Sequence, residues 1–205
     1  VNVILDTGSG FEEMLFRALG VPVAHGNRYA VVPFLRRWTQ ARGLRLVELG
    51  TEQGNRQLFR LDPLPADEEQ RLAAALADHE RLVTARFSPA ELPLVVVPDR
   101  EAELKRRLDE DARDKNISQA ALRLARQFTV HIDSRHTSRL YLNLDNPAVA
   151  ALRTALANGH PAAASAARLL KSFKIIMAGR EAGHAQELNH ALQELSRTVQ
   201  TLVAD

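Results

Sequence analysis

The chain reads as a mixed α+β protein, a small α/β lobe followed by an α+β domain that ends in a helical hairpin. Three observations predict this. Short β-rich runs alternate with helical spacing from Val1 to Leu49, Pro63 and Pro65 punctuate the turn-rich stretch that follows, and apolar side chains near the C-terminus recur about every 3.5 residues over two successive segments. The expected division is residues 1–62 and residues 63–205.

Within the first unit, Val1–Leu5 is a strand closed by the turn cluster Asp6-Thr7-Gly8-Ser9-Gly10. Phe11, Leu15, Phe16 and Leu19 then take helical spacing, and Gly20 stops it. Val21–Ala24 is a second strand, Tyr29–Ala41 a second helix with Val32, Leu35 and Trp38 inward, and Leu44–Leu49 a third, alternating strand. Short connections between such elements predict parallel strands. Gly50–Leu64 reads as turns with a short strand at Leu58–Leu61.

The second unit opens with a helix expected over Ala66–Val83, its first turn holding Asp67, Glu68 and Glu69 as the helix dipole favours. Arg86-Phe87 and Leu94–Val97 are expected to pair as strands across the turn Ser88–Pro93. A charged helix follows from Asp99, with Leu104 and Leu108 as a thin apolar stripe. It is interrupted at Asn116–Ser118 and resumes over Ala120–Phe128. Leu140, Leu142 and Leu144 alternate as a strand, and Asn146-Pro147 supplies a cap and first-turn proline for a helix to Ala157.

The last two helices give the clearest pattern. Ala163, Ala166, Leu170, Phe173 and Met177 are separated by alternating steps of three and four residues, and so are Leu188, Leu192, Leu195, Val199 and Leu202 after the Gly179–Gly183 loop. Such a seam calls for a facing helix. Leu169 and Ile176 widen the first stripe beyond what one hairpin partner covers, so two copies of the hairpin are expected to build a four-helix bundle. The alternative is burial of both stripes inside one chain.

Composition narrows the functional classes. With 27 basic and 25 acidic side chains the net charge is +2, too balanced for a nucleic-acid footprint. The absence of cysteine excludes a disulfide scaffold, a thiolate metal site and a cysteine nucleophile, and fits a cytoplasmic setting. No run approaches the roughly 18 apolar residues of a membrane helix. The chain begins with Val1 rather than Met and is read as a piece of a longer protein.

Several motifs compete with a purely structural reading. Ile4–Gly10 (ILDTGSG) resembles the loop that presents an aspartic-protease carboxylate, which would make Asp6 a hydrolase residue. That chemistry needs a second carboxylate sharing a proton, and this chain has one such loop, followed by helical spacing. A strand-to-helix turn, with Gly8 and Gly10 supplying backbone freedom, is the plainer reading, and an anion held by backbone amides at the helix start is the other alternative. His131, Asp133 and His136 offer too few ligands in an unverified arrangement for a metal site. His184 and His190 read as surface or interface residues. The mixed-sign run Lys105–Lys115 reads as a solvated face laced with pairs one helical turn apart. No catalytic, cofactor-binding or metal-binding residue is therefore expected.

The serial order of these segments resembles the C-terminal third of the ninety-kilodalton heat-shock chaperone family, bacterial HtpG type. Arg139–Leu152 (RLYLNLDNPAVAAL) carries the closest likeness, with Asn143, Asp145 and Pro147 at the family's landmarks and Leu144 and Asn146 in place of its usual Pro and His. The stretch from Phe87 to Leu108 resembles its β-hairpin and exposed helix, and the two last helices its dimerisation element. The resemblance implies that residues 1–62 are the C-terminal lobe of the middle domain and 63–205 the dimerisation domain of a homodimeric, cytoplasmic, ATP-driven chaperone that holds non-native proteins. It implies ATP and magnesium chemistry only in an N-terminal domain outside this sequence, so this piece is expected not to be an enzyme itself. The implied interface is Leu170, Phe173, Met177, Leu188, Leu192, Leu195, Val199 and Leu202. Leu104 and Leu108 are client-contact candidates, although Asp99–Leu108 lacks the methionines that the family often has there. Neither nucleic acid nor membrane is an expected partner. A monomeric α/β binding module is the rival reading.

Overall fold

The structure is a computed structural model. It describes residues 2–6, 11, 14–15, 19–20, 23–25, 30–113, 132, 135–178 and 185–204, with backbone alone at 2–6, 23, 25, 107, 111–113, 178, 185 and 202–204. The fold is mixed α+β, as expected. The first strands are β1 (Asn2–Asp6), β2 (Val23–His25) and β3 (Arg45–Glu48), all parallel with β1 central. The register sets Ile4 opposite Val23 and Val3 opposite Leu46. Helix α1 (Val31–Ala41) leads into β3. Its inward side is buried most completely at Thr39, while Val32, Leu35 and Trp38 are half-buried.

The turn-rich stretch after β3 contains a helix that the sequence reading does not foresee, α2 (Glu52–Leu58). Its signal is local. Thr51 Oγ1 accepts the Gly54 amide at 3.0 Å, and Glu52 sits in the first turn. Gly54 packs so closely on β3 that a Cβ there would lie 2.0 Å from the Glu48 carbonyl oxygen, which leaves glycine as the residue that fits. At seven residues the helix is too short to show an apolar repeat.

Strand β4 (Arg60–Leu61) then joins a second sheet, pairing antiparallel with β5 (Arg81–Arg86). Helix α3 (Ala66–Leu76) ends seven residues before the expected Val83. The β-branched run at Val83-Thr84 is recruited into β5 instead, where Val83 is half-buried and Thr84 buried.

The expected pairing of Arg86-Phe87 with Leu94–Val97 is also corrected. Sheet order is β4-β5-β7-β6, so β7 (Ser138–Asn143) lies between β5 and β6 (Leu94–Pro98). It runs parallel to β5 and antiparallel to β6. β7 wins the central place because Leu140, Tyr141, Leu142 and Asn143 are all buried, the run expected of a strand covered on both faces. Asn143 also fixes the Ser88–Pro93 turn from the side. It donates to the carbonyls of Phe87 (2.9 Å), Pro89 (3.3 Å) and Leu92 (3.0 Å).

Helix α4 (Arg100–Arg113) starts as expected, with the Asp99 carboxylate accepting the Ala102 amide at 3.1 Å and pairing with Arg139 on β7. The expected break at Asn116–Ser118 and the helix over Ala120–Phe128 lie outside the described residues. Asn146 caps α5 (Pro147–Ala157) by accepting from Ala148 and Val149 at 3.0 and 3.1 Å. Helices α6 (Ala163–Ala178) and α7 (Ala185–Ala204) complete the chain.

Most of the buried apolar side chains among the described residues form one connected cluster. Phe11, Leu15, Val47, Leu49 and Phe59 belong to the same core as Leu72, Leu76, Leu94, Leu140 and Leu152. Phe59 stacks on Tyr141 with ring centroids 4.0 Å apart and meets Phe87 edge-on at 5.1 Å. Among the described residues, no helix is long and apolar enough to cross a membrane.

Candidate dimerisation surface

α6 lies between the core and α7. One of its faces is buried at Ala163, Ala167 and Lys174, of which Ala167 belongs to the core, and Leu170, Phe173 and Met177 pack on that core while half-buried. Phe173 meets Phe11 edge-on at 6.2 Å. The opposite face is buried at Ser165 and Ser172, one heptad apart.

α7 is buried at Ala191 and Thr198, again one heptad apart. Six residues separate the two helices in sequence, which favours antiparallel neighbours. Ser165 and Ser172 on α6 and Ala191 and Thr198 on α7 are the buried small residues of this pair, an inner seam that the sequence reading, which follows large apolar residues, misses. The signal was present as a second heptad of small residues beside the first.

Displacing the large residues from that seam decides what they can do. At about 100° per residue, Leu188 and Leu195 lie roughly 50° to one side of the Ala191–Thr198 line, and Leu192 and Val199 roughly 90°. Leu188 and Leu195 are half-buried, whereas Leu192 is 44% exposed and Val199 48%. In an antiparallel pair this edge falls on the same side as Leu169, Phe173 and Ile176 of α6. The outcome is an apolar side built from both helices, covered in part at Phe173 and open along α7. Leu202 lies on the same helix, with its side chain outside the described residues.

The position of α6 is fixed by a buried ammonium. Lys174 Nζ donates to the Leu76 carbonyl at 3.0 Å, one of the last carbonyls of α3, and to Asp78 and Glu80 at 2.9 and 3.0 Å. Lys171 adds a bond to Asp78 at 2.6 Å. Burial alone would raise both acids. For Asp78 the hydrogen bonds from Lys171 and Lys174 outweigh it, and for Glu80 the Asp78 backbone amide and Lys174 do, so both carboxyls are held below their ordinary range.

The other residues singled out in the sequence are dispersed through the fold. Leu104 on α4 is 54% exposed and Leu108 half-buried. Arg106 and Glu110 pair across one turn of the same helix at 3.7 Å. Asp6 ends β1, opposite His25, and Thr7–Gly10 lie outside the described residues. His131, Asp133 and His184 also lie outside them. His136 Nδ1 is 3.0 Å from the His79 carbonyl oxygen, and His190 is exposed on α7. Among the described residues no three His, Asp or Glu side chains gather as metal ligands.

Models of known protein families and curated protein sequences give no match to this chain.

Proposed function

We propose that this chain dimerises with a second copy of itself through α6 and α7, and that it serves as the coupling end of a cytoplasmic chaperone of the ninety-kilodalton heat-shock type. The single observation behind the reading is the open apolar edge of α7. Leu192 and Val199 stand one heptad apart on the surface, while the α7 residues buried most completely are the small Ala191 and Thr198. Burying side chains of this size contributes about 1.5 to 3 kcal/mol each before ordering costs. A second pair of helices laid against this side would make a four-helix bundle.

In this reading the chain is not itself an enzyme. It joins two protomers so that ATP-driven movements elsewhere in the protein act together on a non-native client, and Leu104 on the exposed charged helix offers the client an apolar foothold. ATP and magnesium belong to residues outside this sequence.

Sedimentation velocity of the purified chain at micromolar concentration should give twice the mass of the 205-residue chain. Leu192→Glu combined with Leu195→Glu should give folded monomers. Dimers that persist in the double variant would remove this interface from consideration.

A further inference from the structure

The same side of the molecule carries a second apolar feature. A groove of about 710 Å³ runs between α5 and α6, lined by Ala148, Ala151, Ala155, Ala162 and Ala166 with Leu152 at its floor. Thr154, Asn158 and His160 are the polar groups on its wall, and among the described residues no Asp, Glu, Lys or Arg lines it. Depletion of charge is what the centre of a protein interface shows. Alanines on helices leave holes between ridges, and holes of this kind accept branched side chains from a facing helix.

α7 supplies such side chains. Leu192 and Val199 project from the surface; Asn189, Gln193 and Ser196 beside them are uncharged, and the nearby Arg197 is paired with Glu194 at 2.9 Å. Ala162 and Ala166 stand on the edge of α6 that also holds Leu169 and Phe173, so the groove continues the apolar side described above. A two-fold axis requires a self-complementary patch, in which each copy offers both the projection and the recess. This side offers both.

We infer that the α5–α6 groove is the seat for the partner copy's α7, the exposed Leu192–Val199 edge of one chain lying against the Ala151–Ala155 wall of the other. This rests on the dimer reading and adds to it. A bundle of α6 and α7 alone would leave α5 outside the interface, whereas this arrangement makes α5 part of it.

The chain has no cysteine, so single introduced thiols report without background. Leu192→Cys and Val199→Cys chains are each mixed with Ala151→Cys and Ala155→Cys chains, allowed to exchange, and oxidised. Mixed disulfides between α7 and α5 thiols are expected, exceeding the self-linked product of either variant alone. Disulfides need Cα atoms within roughly 7 Å, so maleimide labelling supplies a second measurement that does not depend on bond geometry. The Ala155→Cys thiol should react about tenfold slower alone than combined with Leu192→Glu and Val199→Glu, the factor following the fraction of chain held as dimer. A sedimenting dimer whose Ala155→Cys thiol reacts equally fast in both backgrounds overturns the groove seat and leaves the dimer standing, the groove then being open to another occupant. A wild-type chain that sediments as a monomer overturns both.

Discussion

Asn143 donates its amide to three carbonyls around the Ser88–Pro93 turn and accepts from the amides of Phe87 and Asp145 at 3.3 and 3.2 Å, all while fully buried. A residue with two donors and a carbonyl acceptor is the one side chain class suited to that site. Three residues on, Asn146 donates to Ala90 and Glu91 while capping α5. Arg86, meanwhile, bridges Asp62 and Asp145. The stretch that looks most distinctive in the sequence thus clamps a loop against a sheet. Asn143→Ala takes the side-chain donor from the Phe87 and Leu92 carbonyls and the acceptor from the Phe87 and Asp145 amides, while the Pro89 carbonyl keeps the Leu92 amide. It should cost about 3 kcal/mol, since each unsatisfied buried group costs roughly 1 to 3. The denaturant midpoint measures it, with faster amide exchange expected across residues 87–93. Asn143→Asp should be worse, because a carboxylate would face three carbonyl oxygens.

At the scale of elements, the tie between α6 and α3 runs through Lys174, whose side chain is 3% exposed against 13% for Glu80 and 41% for Asp78. Removing one member of a buried pair costs about 3 to 5 kcal/mol, and the exposure of Asp78 places Lys174→Met near the lower end. Combining it with Glu80→Gln should recover part of that loss, a coupling that a double-mutant cycle in urea reads directly. The pH dependence has a fixed sign. Both carboxyls are held low in the folded state, so their contribution is complete above the ordinary carboxylate range and disappears as the pH falls through their lowered values. Wild type should therefore lose more stability than Lys174→Met when the pH drops below about 4.

These elements also differ in how far the sequence betrays them. Parallel strands, the capped α5 and the two last helices carry local signals in caps, periodicity and β-rich runs. The insertion of β7 between β5 and β6 carries none, because strand order depends on partners some fifty residues away in the chain. It is settled by which strand can be buried on both faces. α2 is too short to show a period, and the small-residue seam of α6 and α7 has no large apolar side chains to mark it. The large heptad positions were legible. Their division into half-buried and exposed rows was not, since that needs the direction of the facing helix.

For the whole molecule, the decisive feature is the aromatic cluster around Phe59. Phe59 leaves α2 at the end of the first parallel unit and is 1% exposed, stacked on Tyr141 of the central strand β7 and set edge-on to Phe87 after β5. The same connected core holds Val47 and Leu49 on one side and Leu140 and Leu152 on the other. Truncating one fully buried aromatic costs about 3 to 5 kcal/mol in lost transfer energy and cavity. Because this connected core holds residues of both sheets, Phe59→Ala should loosen both together, and native-state amide exchange should quicken in Arg45–Glu48 as well as in Arg81–Arg86. A chain whose two sheets are independent would show the change in one of them. Dimerisation adds a second dimension to the same measurement. If two copies share the α7 edge, the unfolding midpoint rises with protein concentration by mass action. Phe59→Ala should then lower the midpoint at every concentration while keeping that slope, whereas Leu192→Glu with Leu195→Glu should abolish the slope. The two variants together separate what holds one chain from what joins two.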